Sequence, residues 1–231
     1  MATIFPKWLN MVPTLLALGG GGATMAVVVG TWYWATPDYF EVGYMPTQPG
    51  SGFNHQIHAG KLGMDCRYCH TKVEESNEAN IPAVATCIGC HAEERLAPAF
   101  DPGEKVAFIR EAYAKDSSVE WRRVHKLPDY VRNFPHAAHI NAGVSCYSCH
   151  GQITAMPVVF QAEGLGMGWC LDCHRGVEKT PEKYLVPPDK VTNLFWVEQH
   201  LATVKKGDAQ ARKLQEQLRE SPPQHCGACH Y

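Results

Sequence analysis

All ten cysteines of this 231-residue chain fall inside five Cys-x-x-Cys-His pentapeptides. They are Cys66, Cys69 and His70; Cys87, Cys90 and His91; Cys146, Cys149 and His150; Cys170, Cys173 and His174; and Cys226, Cys229 and His230. Two thiols one helical turn apart can add to the two vinyl groups on one edge of a haem, and the next residue then brings an imidazole under the iron. Each pentapeptide therefore reads as a c-type haem attachment site, with the cysteines as tethers and the histidine as proximal ligand. Zinc also uses Cys-x-x-Cys, but it needs a second ligand pair at a set distance and no histidine after every pair. A disulfide framework would scatter its cysteines, and a dithiol redox motif would occur once.

Seven histidines remain: His55, His58, His125, His136, His139, His200 and His225. Four of them stand in one phrase used twice, Phe53-x-His55-x-x-His58 and Phe134-x-His136-x-x-His139. Each phrase is followed by a pentapeptide, a gap of 16 or 19 residues and a second pentapeptide. This is an internal repeat with modules at 53–91 and 134–174. Each module carries two haem sites and two spare histidines, which balances if every iron takes two imidazoles. The haem of Cys226 and Cys229 then needs a sixth ligand from elsewhere. His125 is the first candidate; His200, Met64, Met156 and Met167 are the others. His225 adjoins Cys226 and cannot reach over the ring. Two axial ligands leave no open position on iron, so the chemistry is one-electron transfer and no catalytic side chain is singled out.

The elements that must position these groups follow from the rest of the sequence. Residues 8–37 contain no charge, and 11–33 suffice to cross a hydrocarbon core of about 30 Å as one helix. Lys7 precedes the run and Asp38 follows it, with Trp8 at one end and Trp32, Tyr33 and Trp34 at the other. The expectation is an uncleaved anchor over residues 1–37 with its N-terminus inside. A secretory signal peptide, the competing reading, has a shorter apolar run and an A-x-A-like site that is missing before Asp38. Residues 38–231 would form the haem domain, with a linker at 92–133 and a C-terminal haem segment at 191–231. The expected fold class is mainly α with extensive loops, the chain wrapped around five haems, since the macrocycles must supply much of the core. The linker holds eight acids and eight bases and is read as solvated or as an interface. Within it, Asp101-Pro102-Gly103-Glu104 predicts a capped helix over 102–115 with Val106, Ile109 and Tyr113 on one face. A second helix is expected over 208–220 with Leu214 and Leu218 on its apolar face. Twenty-one Lys and Arg against 23 Asp and Glu leave no basic field, which excludes nucleic-acid binding.

The phrases at 53–58, 63–70, 124–129 and 166–174, on an N-terminal anchor, resemble the pentahaem subunit of alternative complex III along nearly the whole chain. The paired Phe-x-His-x-x-His units are similar to small multihaem cytochromes of the c3 and c7 type. The resemblance implies a non-catalytic electron-transfer subunit of a quinol:electron acceptor oxidoreductase, with five covalent haem c groups. It implies a place in a bacterial inner membrane with the haem domain on the periplasmic side. Implied partners are iron–sulfur, monohaem cytochrome c and polytopic membrane subunits, with a periplasmic carrier or oxidase receiving electrons. Two rival classes stay open: a multihaem reductase of nitrogen or sulfur oxyanions, which needs a five-coordinate haem, and a stand-alone membrane quinol dehydrogenase, which needs its own quinol pocket.

Overall fold

The computed structural model describes residues 6–35, 41–127, 131, 134–175, 185–218 and 221–230. After a 3-10 turn at Lys7–Met11, α1 (Val12–Ala35) is apolar on every side. Leu15, Leu16, Met25, Val28 and Trp32 all stay exposed. A helix that is hydrophobic all round and packs on nothing in its own chain suits lipid better than water. The span Lys7–Tyr33 is long and apolar enough to cross a membrane. Thr24 Oγ1 donates to the Gly20 carbonyl at 2.9 Å, so its hydroxyl is satisfied within the helix.

The remaining described elements are short helices joined by long loops, in line with the mainly α expectation. They are α2 (Cys66–Cys69), α3 (Val84–His91), α4 (Ala107–Ala114), α5 (His136–Asn141), α6 (Tyr147–His150), α7 (Met167–His174), α8 (Leu194–Lys205) and α9 (Ala209–Leu218). Among the described residues there is no strand, only a single antiparallel bridge between Val144 and Leu185. Gly143 makes that approach possible: its φ is +84°, and a Cβ there would strike the Val186 carbonyl oxygen.

The protein core is small. Val73, Ile140, Tyr147, Val186, Val191, Leu194 and Val197 form one buried cluster, joining both modules to α8. The chain exposes 16110 Å², against about 10400 Å² expected from the area scaling of a globular protein of this mass. The protruding α1 accounts for part of that excess, and the loosely covered pentapeptides for more.

Both helices expected outside the modules form, with their faces shifted. A 3-10 turn at Gly103–Val106, with Gly103 at φ +59°, takes the place of the capping box, and Asp101 Oδ1 instead accepts from Gly103 N–H and Arg110. The buried positions of this helix become Val106, Ile109 and Ala112, and Tyr113 points outward. On α9 the buried pair is Ala211 and Gln215, while Leu214 and Leu218 are only half-buried. Residues 219–220, at the expected end of that helix, lie outside the described residues.

Candidate haem-attachment site

Each pentapeptide coincides with a turn of helix. In α2, α3 and α7 the positions i, i+3 and i+4 share a face, so both thiols and the histidine point toward the same space. α6 carries the third motif, and a 3-10 turn at Cys226–Ala228 carries the fifth. α2 is only four residues long and depends on its cap: Asp65 Oδ1 accepts from Arg67 N–H at 2.8 Å, and its two oxygens also receive the Arg67 guanidinium at 3.0 and 2.9 Å. All ten cysteines are free thiols. Among the described residues no three His, Cys, Asp or Glu side chains converge as a bare metal ion requires.

The histidines are prepared as ligands of iron. Nδ1 of His70 lies 2.6 Å from the Asn80 carbonyl and that of His174 lies 2.7 Å from the Pro223 carbonyl. On the opposite side His58, His136 and His139 reach the carbonyls of Asn54, Asn77 and Pro135 at 2.9, 2.7 and 2.9 Å. A carbonyl can only accept, so it fixes the tautomer with the proton on Nδ1 and leaves the Nε2 lone pair free for a metal. Nδ1 of His55 and of His91 is buried with no hydrogen-bond partner among the described residues. Burial, together with neighbouring imidazoles, pushes His55 down to about 4 and lowers His91 and His139. These rings are neutral at physiological pH, as coordination requires.

The duplicated phrase folds the same way twice. Phe53 stacks on His58 at 4.4 Å and meets His55 edge-on at 4.8 Å; Phe134 stacks on His139 at 4.4 Å and meets His136 edge-on at 5.0 Å. The second histidine of each phrase faces the second pentapeptide of its own module: His58–His91 ring centroids are 5.9 Å apart and His139–His174 centroids 6.1 Å. His136 and His150 stand 6.5 Å apart and nearly parallel. An iron between two imidazoles, with metal–nitrogen bonds of about 2 Å, spaces the centroids by about 6.3 Å. The residues present therefore fit bis-histidine haem.

The other candidates sit differently. His125 packs on His150 with centroids 4.2 Å apart, its Nε2 3.1 Å from Nδ1 of His150. His200 is buried at 8% exposure, stacks on Trp196 and engages Gln215 through Nε2 at 2.8 Å, as a core histidine does. Met156 is buried at 4% against Gly151, and Met167 is 55% exposed at the start of α7. His225 is exposed beside Gly227.

Neighbouring thiols trace the order of the motifs in space. Burial raises Cys69, with Cys87 adding to it. Cys66 and Cys146 lie within hydrogen-bond reach of each other, a contact that with burial pushes Cys146 up. Burial, Cys170 and Cys173 push Cys149 up to about 12, and burial and Cys229 raise Cys170. The motifs thus form one row, with those of Cys87, Cys66, Cys146, Cys170 and Cys226 following in that sequence.

The carbonyls of Asn77, Asn80 and Pro223 carry no sequence signal, because any residue can supply one. The fully buried Gln161 also lies outside every motif. Its backbone pairs with Gly43 and Tyr44, and its side chain bonds Lys126 N–H and the Glu163 carbonyl.

No family model matches the chain. Among curated proteins it is 33% identical, over 129 residues, to the multihaem cytochrome c subunit of menaquinone reductase from Nitratidesulfovibrio vulgaris. The match covers 56% of this chain, which spans a little over half the length of that relative. The similarity supports a multihaem cytochrome c, with covalently bound haem c and a role in electron transfer.

Proposed function

We propose that this chain is a membrane-anchored pentahaem cytochrome c that relays electrons within a quinone-linked membrane complex of the alternative complex III kind. The observation that carries the reading is the set of imidazole pairs spaced for iron beside pentapeptides that consume every cysteine. Haem with two imidazole ligands supplies one-electron transfer and offers no site for a substrate. The ten cysteines tether five haems, and His70, His91, His150, His174 and His230 ligate the proximal faces. His55, His58, His136 and His139 supply distal imidazoles, and the carbonyls behind them hold the rings in one orientation. α1 anchors the domain in the bacterial inner membrane, with residues 38–231 on the periplasmic side as two modules, a linker and the fifth haem segment. Polytopic membrane, iron–sulfur and monohaem cytochrome subunits are its partners, and a periplasmic carrier or oxidase accepts its electrons.

Purification in mild detergent with mass spectrometry of co-purifying subunits tests the assignment. A polytopic membrane subunit and an iron–sulfur subunit are expected. A chain that purifies alone and turns over nitrite or hydroxylamine refutes it. The relative is named for menaquinone reduction, which favours a second reading in which electrons run toward quinone. Reduction of the haems by added quinol, against oxidation of dithionite-reduced haems by added quinone, separates the two directions.

A further inference from the structure

We propose that His125 is a positioning residue, the hydrogen-bond acceptor behind the proximal ligand His150, and not an axial ligand of any haem. The inference rests on the haem reading above and concerns one imidazole within it.

The geometry is asymmetric in a telling way. His125 approaches His150 at Nδ1, the nitrogen that points away from the thioether side, at 3.1 Å and with the rings at 78°. Once Nε2 of His150 is committed to iron, its Nδ1 must carry the proton and donate. The only atom His125 offers there is Nε2, so that atom accepts. A neutral imidazole has one lone pair for a hydrogen bond or a metal, and here it is spent on His150. At this separation no iron fits between the two nitrogens, since two metal–nitrogen bonds of about 2 Å need about 4 Å.

Comparison within the molecule gives the role. His70 and His174 are proximal ligands of other pentapeptides, and each has a backbone carbonyl at this position, Asn80 and Pro223 respectively. His125 occupies the corresponding place behind His150, with a side chain instead of a carbonyl. His150 meanwhile has His136 at the spacing that an iron between them requires, so its haem is complete without His125.

His125 is also held in place from both sides. Its carbonyl accepts from Arg123 Nε at 3.1 Å, and the next N–H, that of Lys126, donates to Oε1 of the fully buried Gln161 at 2.9 Å. A buried side chain that clamps the backbone beside a histidine is what a fixed orienting contact needs. An acceptor behind a proximal imidazole makes that imidazole more electron-rich and favours the ferric iron, so its loss should raise the potential of one haem.

The test uses the full-length, haem-loaded protein in detergent, with EPR, visible spectra and a redox titration of the wild type, His125→Ala and His125→Gln. A pyridine haemochrome count on the wild type checks the underlying haem reading separately. In His125→Ala every haem is expected to stay low-spin while one midpoint potential moves upward. In His125→Gln, whose amide oxygen can accept in the same place, that potential is expected to return toward the wild-type value. One high-spin haem in either variant makes His125 an axial ligand and overturns the proposal. Unchanged potentials in His125→Ala overturn it as well. If His125→Ala accumulates without haem, His125→Gln alone decides, since glutamine preserves the acceptor but does not replace an imidazole on iron.

Discussion

Replacing Gln161 by Leu should release the segment that carries His125 while leaving the packing nearly unchanged, because the two side chains have similar volume. Two contacts vanish: Lys126 N–H loses Oε1 and the Glu163 carbonyl loses Nε2, at 2.9 and 3.1 Å. A buried polar group stripped of its partner costs about 1–3 kcal/mol. Lys126 is exposed and its N–H can turn to water, which puts that contact at the low end; Glu163 is half-buried. The pair together is worth about 2–4 kcal/mol of local stability. The backbone bonds of Gln161 to Gly43 and Tyr44 survive, so the loss should stay local. Amide hydrogen exchange followed by mass spectrometry reads it directly: protection across residues 123–127 should fall by roughly 30- to 700-fold, at tenfold per 1.4 kcal/mol. Gln161→Glu keeps the acceptor for Lys126 but sets a carboxylate against a carbonyl, so it should lose protection mainly around residue 163. Protection in Gln161→Leu within threefold of wild type would sink the claim that this side chain clamps the loop, whatever the haem potentials do.

His58→Ala and His139→Ala should each leave all thioether bonds in place and turn one haem high-spin, seen by EPR and a haemochrome count; a wholly low-spin spectrum would remove those residues from the ligand set. Gly143→Ala should lower the yield of haem-loaded protein, because φ +84° costs a side chain about 1–2 kcal/mol even before its Cβ meets the Val186 carbonyl. Burial holds His200 below the ordinary histidine range. An unfolded histidine titrates near about 6.5, so below that pH the unfolded chain takes up a proton that the fold refuses. Stability is therefore full above that pH and is lost as pH falls below it. Denaturant unfolding across that window should show a shallower acid-side loss in His200→Gln, and an equal loss would show that His200 carries none of it.

What could be read in the sequence is the part that chemistry restricts to particular residue types. Haem attachment demands two cysteines and a histidine at fixed spacing, and the repeated Phe-x-His-x-x-His phrase demands a repeated local geometry; the two phenylalanine stacks agree to the tenth of an ångström. Periodicity found α9 but missed its face, because the residue that anchors it is polar: Gln215 is buried to bond the Leu185 carbonyl and His200. An apolar count passes over such a position. In α4, Tyr113 was expected inside, but the 3-10 turn at Gly103–Val106 changes the register on which α4 starts and brings Ala112 inward. His125 was legible as a histidine near a haem motif. Which nitrogen it presents, and to which side of which ring, depends on Gln161, 36 positions further along the chain.

The order of the motifs in space differs from their order in the chain for a reason rooted in the duplication. A repeated unit that meets its copy does so most economically through equivalent faces, as subunits of a two-fold dimer do. Here the two modules meet through their first motifs. Cys66 faces Cys146, the backbone of residues 76–77 receives the N–H groups of Ala137 and His136, and Asn141 bonds the Glu74 carbonyl. The first motifs therefore take the middle of the row, and the second motifs, at Cys87 and Cys170, are pushed outward. Symmetry alone would leave two equivalent ends. The C-terminal segment breaks it by docking on one of them, where Pro223 accepts from His174 and Gln224 donates to the His174 carbonyl. The opposite end lies behind α4, whose Arg110 holds the His91 carbonyl and whose Phe108 packs on Gly50 in the stretch that follows α1. A duplicated cytochrome module thus acquires two unlike termini, one beside the chain leaving the anchor and one extended by a fifth site, and a relay with unlike ends can serve two different redox partners.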